Sequence, residues 1–141
     1  LNFYSPIGRD EVVSYYSGIL MNVINQQSNE EVVRALMKQV EDLTKPILEA
    51  GKGFSYSQNL YNFAMLYKVA ALKLKSDVYL QKSINLFNEG LKNSPNRYIF
   101  LEGLFSVYQI GGDKVKMKEI GETILKYWPD KETIKQILNT F

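Results

Sequence analysis

The side chains that carry most enzyme chemistry are missing from this sequence: its 141 residues include neither cysteine nor histidine. That removes thiol nucleophiles, disulfides, histidine-based triads and the usual zinc-ligand sets together. Carboxylates and lysines remain. Glu30/Glu31 and Glu41/Asp42 are adjacent pairs, and neighbours on a helix point about 100° apart, so neither pair converges on one substrate atom as general acid–base work requires. Lys114, Lys116 and Lys118 alternate, which spreads them around a helix instead of gathering a phosphate clamp. Gly111-Gly112 lacks both the preceding strand and the Lys-Ser/Thr of a phosphate loop. The reading is non-catalytic, with no cofactor and no metal.

Composition narrows the class further. The length is that of one domain with a continuous core, and 45% hydrophobic with 23% charged residues is ordinary for a globular chain. Seventeen basic and fifteen acidic residues leave a net charge of +2, so no strong field draws nucleic acid or an acidic membrane. The longest apolar runs are far too short to span a bilayer. The chain opens on Leu1 without a signal peptide, and reads as one domain of a longer protein.

Helical periodicity predicts the scaffold: seven helices and no strands. The first is expected from near Asp10, its inward face Val12, Tyr16, Ile19, Leu20 and Val23; Gly18 marks either a close helix contact or a weak point. Ser28-Asn29-Glu30-Glu31 reads as a capping box opening a second helix with the stripe Val32, Leu36, Val40, Leu43 and Ile47. Pro46 is expected to kink or divide it near Thr44, and Gly51-Lys52-Gly53 to end it. Ser55 and Gln58 read as a second capping box, opening a helix to about Lys75. Ser76-Asp77 starts the fourth, with Leu80, Ile84, Phe87 and Leu91 inward. Helices over 96–110, 113–127 and 130–139 follow, the last with Ile134, Ile137, Leu138 and Phe141 on one face.

Residues 60–129 contain a repeat. Pro95 and Pro129 each close an amphipathic helix and lie 34 residues apart, the period of the tetratricopeptide helix-turn-helix unit. In the first copy Leu60, Phe63, Ala64 and Tyr67 occupy the large, large, small and aromatic positions of one helical face. Ser83, Phe87, Gly90 and Pro95 match the small, aromatic, small, proline series of the second helix. The second copy runs Leu101, Leu104, Phe105, Tyr108, Gly112-Asp113 at the turn, and Pro129. The stretch resembles the tetratricopeptide repeat family, with two departures. Seven extra residues between Tyr67 and Ser83 predict helices longer than the family's. Phe105, Met117 and Gly121 stand where a small, a small and an aromatic residue are expected, so large and small have partly exchanged places. The resemblance implies an all-α, right-handed α-α superhelix: a divergent hairpin over 8–53, repeats over about 57–95 and 96–129, and a capping helix over 130–141. Tyr67, Phe87, Leu104 and Tyr108 are then expected to be largely buried.

The family's inner surface comes from the first helix of each unit. Carried over, those positions are Tyr61, Asn62, Met65 and Lys68 in one copy and Glu102, Ser106 and Gln109 in the next. They mix polar and apolar character as a recognition groove does, which implies a protein or peptide partner and no nucleic acid. Tyr61 and Met65 replace clamp residues of the chaperone-binding members, so capture of a C-terminal carboxylate is not expected. A second resemblance covers about seven residues. Gly8, Arg9 and Glu11, leading into helical hairpins, look like the tail of membrane O-antigen ligase/polymerase proteins. That implies a scaffolding domain attached to a membrane portion outside this chain, on the periplasmic or extracytoplasmic face. The alternative is a cytoplasmic adaptor or co-chaperone module binding a peptide segment.

Overall fold

The computed structural model describes residues 6–53 and 55–141, with side chains described from residue 12 onward except residue 54. Among them are seven helices and no strand: α1 (Pro6–Gln26), α2 (Glu30–Ala50), α3 (Tyr56–Leu74), α4 (Asp77–Asn93), α5 (Tyr98–Gly111), α6 (Lys114–Tyr127) and α7 (Glu132–Leu138). The chain is all-α. The helices of the first copy, 19 and 17 residues, exceed the 14 and 14 of the second, as the longer Tyr67–Ser83 spacing requires.

Local chemistry accounts for most boundaries. Pro6 begins α1 earlier than the expected Asp10, since its fixed φ and missing N–H suit a first helical turn. Asn29, not Ser28, caps α2: its Oδ1 accepts from the amides of Glu31 (2.9 Å) and Val32 (3.4 Å). Ser55 precedes α3 without a capping bond, and the Gln58 amide goes to Asn62 instead. Ser76 and Asp113 cap α4 and α6, and Gly112 takes the left-handed φ of 70° that ends α5. Pro46 does not divide α2. Both Pro46 and Asp42, whose carbonyl loses its i+4 donor, are exposed, so water can serve that carbonyl.

Three core clusters follow one another along the chain. The first joins α1 and α2 to α3 through Leu20, Met37, Phe63 and Tyr67. The second joins α3, α4 and α5 through Leu60, Phe87, Phe100 and Leu104; the third joins α5, α6 and α7 through Phe105, Met117, Ile124 and Ile134. Helices α3 and α5 each feed two clusters and are the spine of the domain. Accordingly α3 buries eleven residues, against four for α2 and three for α4. Helices α1 and α2 pack mainly on α3 and only lightly on each other.

The repeat positions are packed as volumes. Leu60, Phe63, Ala64 and Tyr67 are buried, and Ser83 donates to the Ala64 carbonyl at 2.7 Å, satisfying a hydroxyl at a close helix crossing. Between α4 and α5 the rings cross over: Phe100 lies where a Cβ on Gly90 would be, and Phe87 where one on Gly103 would be. In the second copy a Cβ on Gly121 would come within 3.0 Å of the Phe105 ring. The aromatic at 105 thus fills the space that the glycine at 121 leaves. Tyr108 is half-buried and Phe141 exposed, less enclosed than expected.

Two faces differ from the sequence reading, for one reason. In α1 the buried set is Val13, Ser17, Leu20 and Ile24, while Val12, Tyr16, Ile19 and Val23 face outward. In α2 it is Val33, Met37, Val40 and Thr44; Val32 is exposed, and Leu36, Leu43 and Ile47 are half-buried. Each buried stripe contains a hydroxyl that bonds back to its own helix. Ser17 donates to the Val13 carbonyl at 2.8 Å and Thr44 to the Glu41 carbonyl at 3.3 Å. Self-satisfied, these side chains enter a core that hydrophobicity alone denies them. Gly18 has open space around it and is a weak point, not a contact.

Candidate binding face

Helices α1, α3 and α5 are neighbours in that order, which lines up the side chains between them. From α3, Asn62 donates to the Ser14 hydroxyl of α1 at 3.1 Å and accepts from Gln58 at 3.1 Å. Two turns on, Lys68 donates to the Ser106 hydroxyl of α5 at 3.2 Å. Glu102, one turn before Ser106, is exposed and accepts from the Tyr98 hydroxyl at 2.9 Å.

The electrostatics centre on Lys68. Burial pushes its pKa below the ordinary lysine value, with Glu102 partly opposing the shift. No ion pair of Lys68 occurs among the described residues; its hydrogen-bond partner is a hydroxyl. The neighbouring phenols shift the other way: Tyr61 is raised by burial and then by Glu102. Tyr98 is pushed up to about 12 by burial, then by its bond to Glu102 and that carboxylate's charge, then by Asp130.

Tyr61, Asn62, Met65 and Lys68 of α3 therefore stand with Glu102 and Ser106 of α5 along one helix pair. Tyr61 and Met65 are half-buried against the second cluster, and the Tyr61 ring lies 6.2 Å from Phe87 and 6.3 Å from Phe100. Tyr61 is core wall as much as surface. Gln109 is exposed and lines a depression of about 420 Å³ with Met117, Ile137 and Phe141, toward α6 and α7. Sequence reasoning missed Ser14, which has no signature to mark it, and Tyr98, which orients Glu102 by an i,i+4 bond visible in the spacing.

The face offers an ammonium, a carboxylate, a carboxamide, hydroxyls and the edges of a phenol and a thioether. Groups of these kinds are able to hydrogen-bond or ion-pair with a polar chain segment. The side chains of Gly8, Arg9 and Glu11 lie outside the described residues, and their backbone is the first turns of α1. Among the described residues no helix is long and apolar enough to cross a membrane. Compared with family models, with curated proteins and with solved structures, the chain matches none.

Proposed function

We propose that this chain is a non-catalytic interaction domain, a tetratricopeptide-like α-α superhelix holding an extended segment of a partner protein across α1, α3 and α5. The order of the neighbouring helices, the relay of three clusters and the exchange of volume between Phe105 and Gly121 support the architecture. The observation that carries the function is Lys68. A half-buried ammonium with a hydroxyl in place of a counter-ion is a cost to folding, and a face that keeps one has a use for it. Glu102 acts on this ammonium from a distance, and an acidic side chain of the bound segment supplies the direct pair. The setting we propose is the extracytoplasmic tail of a bacterial surface-polysaccharide ligase or polymerase, a setting that rests on Gly8, Arg9 and Glu11.

Selection of displayed random peptides on the folded chain tests the binding mode. Enriched peptides should carry an acidic residue, perturb amide resonances of α3 and α5, and lose at least tenfold in affinity for Lys68→Met. Melting of that variant should be unchanged or slightly higher. Peptides that map to other helices, or that bind the variant as well as the parent, refute the proposal.

A further inference from the structure

The outward stripe of α1 carries an inference beyond the inner face. Val12, Tyr16, Ile19 and Val23 are 41%, 39%, 42% and 41% exposed, with Tyr15 beside them at 75%. Surface helices normally turn a charged face to water, yet no Asp, Glu, Lys or Arg occurs from Val12 to Asn29. An apolar, uncharged stripe several turns long is the kind of patch that marks an interaction site.

Spacing and order indicate what covers it. The four residues follow at intervals of four, three and four, the alternation of the seam between two packed helices. Their sizes read alike from either end, with valines outside and two large side chains inside. Under an antiparallel two-fold axis between Ser17 and Gly18, Val12 meets the partner's Val23 and Tyr16 meets the partner's Ile19. A two-fold contact must be self-complementary; an uncharged palindromic seam satisfies that without placing like charges together. A lipid surface fits less well, because α1 offers headgroups no cation along the stripe from Val12 to Gln26. A charged peptide finds no opposite charge to set its register.

We infer that this face is a homodimer interface in which α1 packs antiparallel on α1 of a second copy. One helix face buries less than the roughly 800 Å² per partner of a standard interface, so the association is reversible and depends on concentration. Tyr15 lies at the rim with its hydroxyl in water.

Sedimentation equilibrium of the full 141-residue chain should show the weight-average mass rising from 16.3 kDa toward twice that value with concentration. Ile19→Glu, a change on an exposed position, should hold the mass at the monomer value with helicity and melting unchanged. Because the chain has no cysteine, orientation is readable by oxidation. A mixture of Val12→Cys and Val23→Cys chains should form the mixed disulfide, while Val12→Cys alone should not. Its two copies would sit about 16 Å apart along the axis, beyond the reach of a disulfide. A monomer at millimolar concentration, a dimer indifferent to Ile19→Glu, or dimer-independent capture on zwitterionic vesicles overturns the inference. Crosslinking of Val12→Cys with itself overturns the antiparallel geometry.

Discussion

The crossed rings between α4 and α5 allow a test in which two effects of opposite sign compete. Gly103 is interior to α5 and buried. On helix propensity alone, Gly103→Ala should stabilise the chain by about 0.8–1.0 kcal/mol. The structure predicts the reverse. The new Cβ would lie under 3.0 Å from three carbons of the Phe87 ring. That ring is fully buried and abuts Tyr61, so it has nowhere to retreat. Overpacking of this kind costs about 1–3 kcal/mol, occasionally more, and three atoms in conflict place the case at the upper end. The net expectation is destabilisation by about 1–2 kcal/mol, a fall of several degrees in melting temperature for a chain of this length. Gly18→Ala is the control, since a Cβ there meets nothing within 4 Å; it should gain about 0.5–1 kcal/mol. Urea titrations of both variants give the signs directly. Introducing Phe87→Leu into Gly103→Ala should recover part of the loss, with a coupling of about 0.5–3 kcal/mol. A Gly103→Ala chain as stable as the parent, or more so, would mean that α4 and α5 stand further apart than described. The joint between the two repeat-like units would then fail with it.

Two other outcomes follow from single groups. Asn29→Ala should lose about 1 kcal/mol, as an N-cap does, whereas Ser28→Ala should be nearly silent in the same titration; equal effects would return the cap to Ser28. Alkaline pH should destabilise the fold through Tyr98, whose pKa rises from 10.0 to about 12 on folding. The neutral phenol is favoured in the folded state, so this contribution is fully present below pH 10 and disappears as pH climbs through about 12. Burial raises Tyr56, Tyr61 and Tyr67 in the same direction, while Lys68, shifted downward, opposes them. Tyr98→Phe should flatten the decline in melting temperature over that window; an unchanged slope would remove the Tyr98–Glu102 bond from the account.

How much of this was legible in the sequence depended on whether a residue's type announced its role. The α3–α4 and α5–α6 junctions were readable because Ser76, Gly112 and Asp113 perform by type the tasks their positions need. The face of α3 was readable because Leu60, Phe63, Ala64 and Tyr67 form one unbroken apolar row. In α1 and α2 there are two candidate rows side by side, sharing Leu20 and Val40, and the deeper burial goes to the row containing Ser17 or Thr44. Packing against α3 selects a row by shape, and Ser17 and Thr44 meet the requirement once their hydroxyls bond to their own helices. Periodicity measures only hydrophobicity and cannot make that choice. The groove positions met a related limit. Spacing places Tyr61 beside Lys68, but that its ring reaches Phe87 and Phe100 is a tertiary fact.

The second repeat-like copy shows what such a pattern conserves when its letters do not match. Phe105 and Gly121 each violate the expected residue type, and counted separately they weaken the resemblance twice. Packed together they are one event: the ring at 105 occupies space beside the bare backbone at 121, with Leu138 of α7 closing the other side at 2.9 Å from the position of a missing Cβ. A helix pair needs a filled interior between its axes, and which helix provides the bulk is secondary. The exchange also bears on α7. With glycine at 121, α6 presents a notch that Leu138 can enter, so the seventh helix seals the last cluster through a feature that the expected aromatic would have blocked. The departure from the pattern and the ending of the stack are then the same piece of packing.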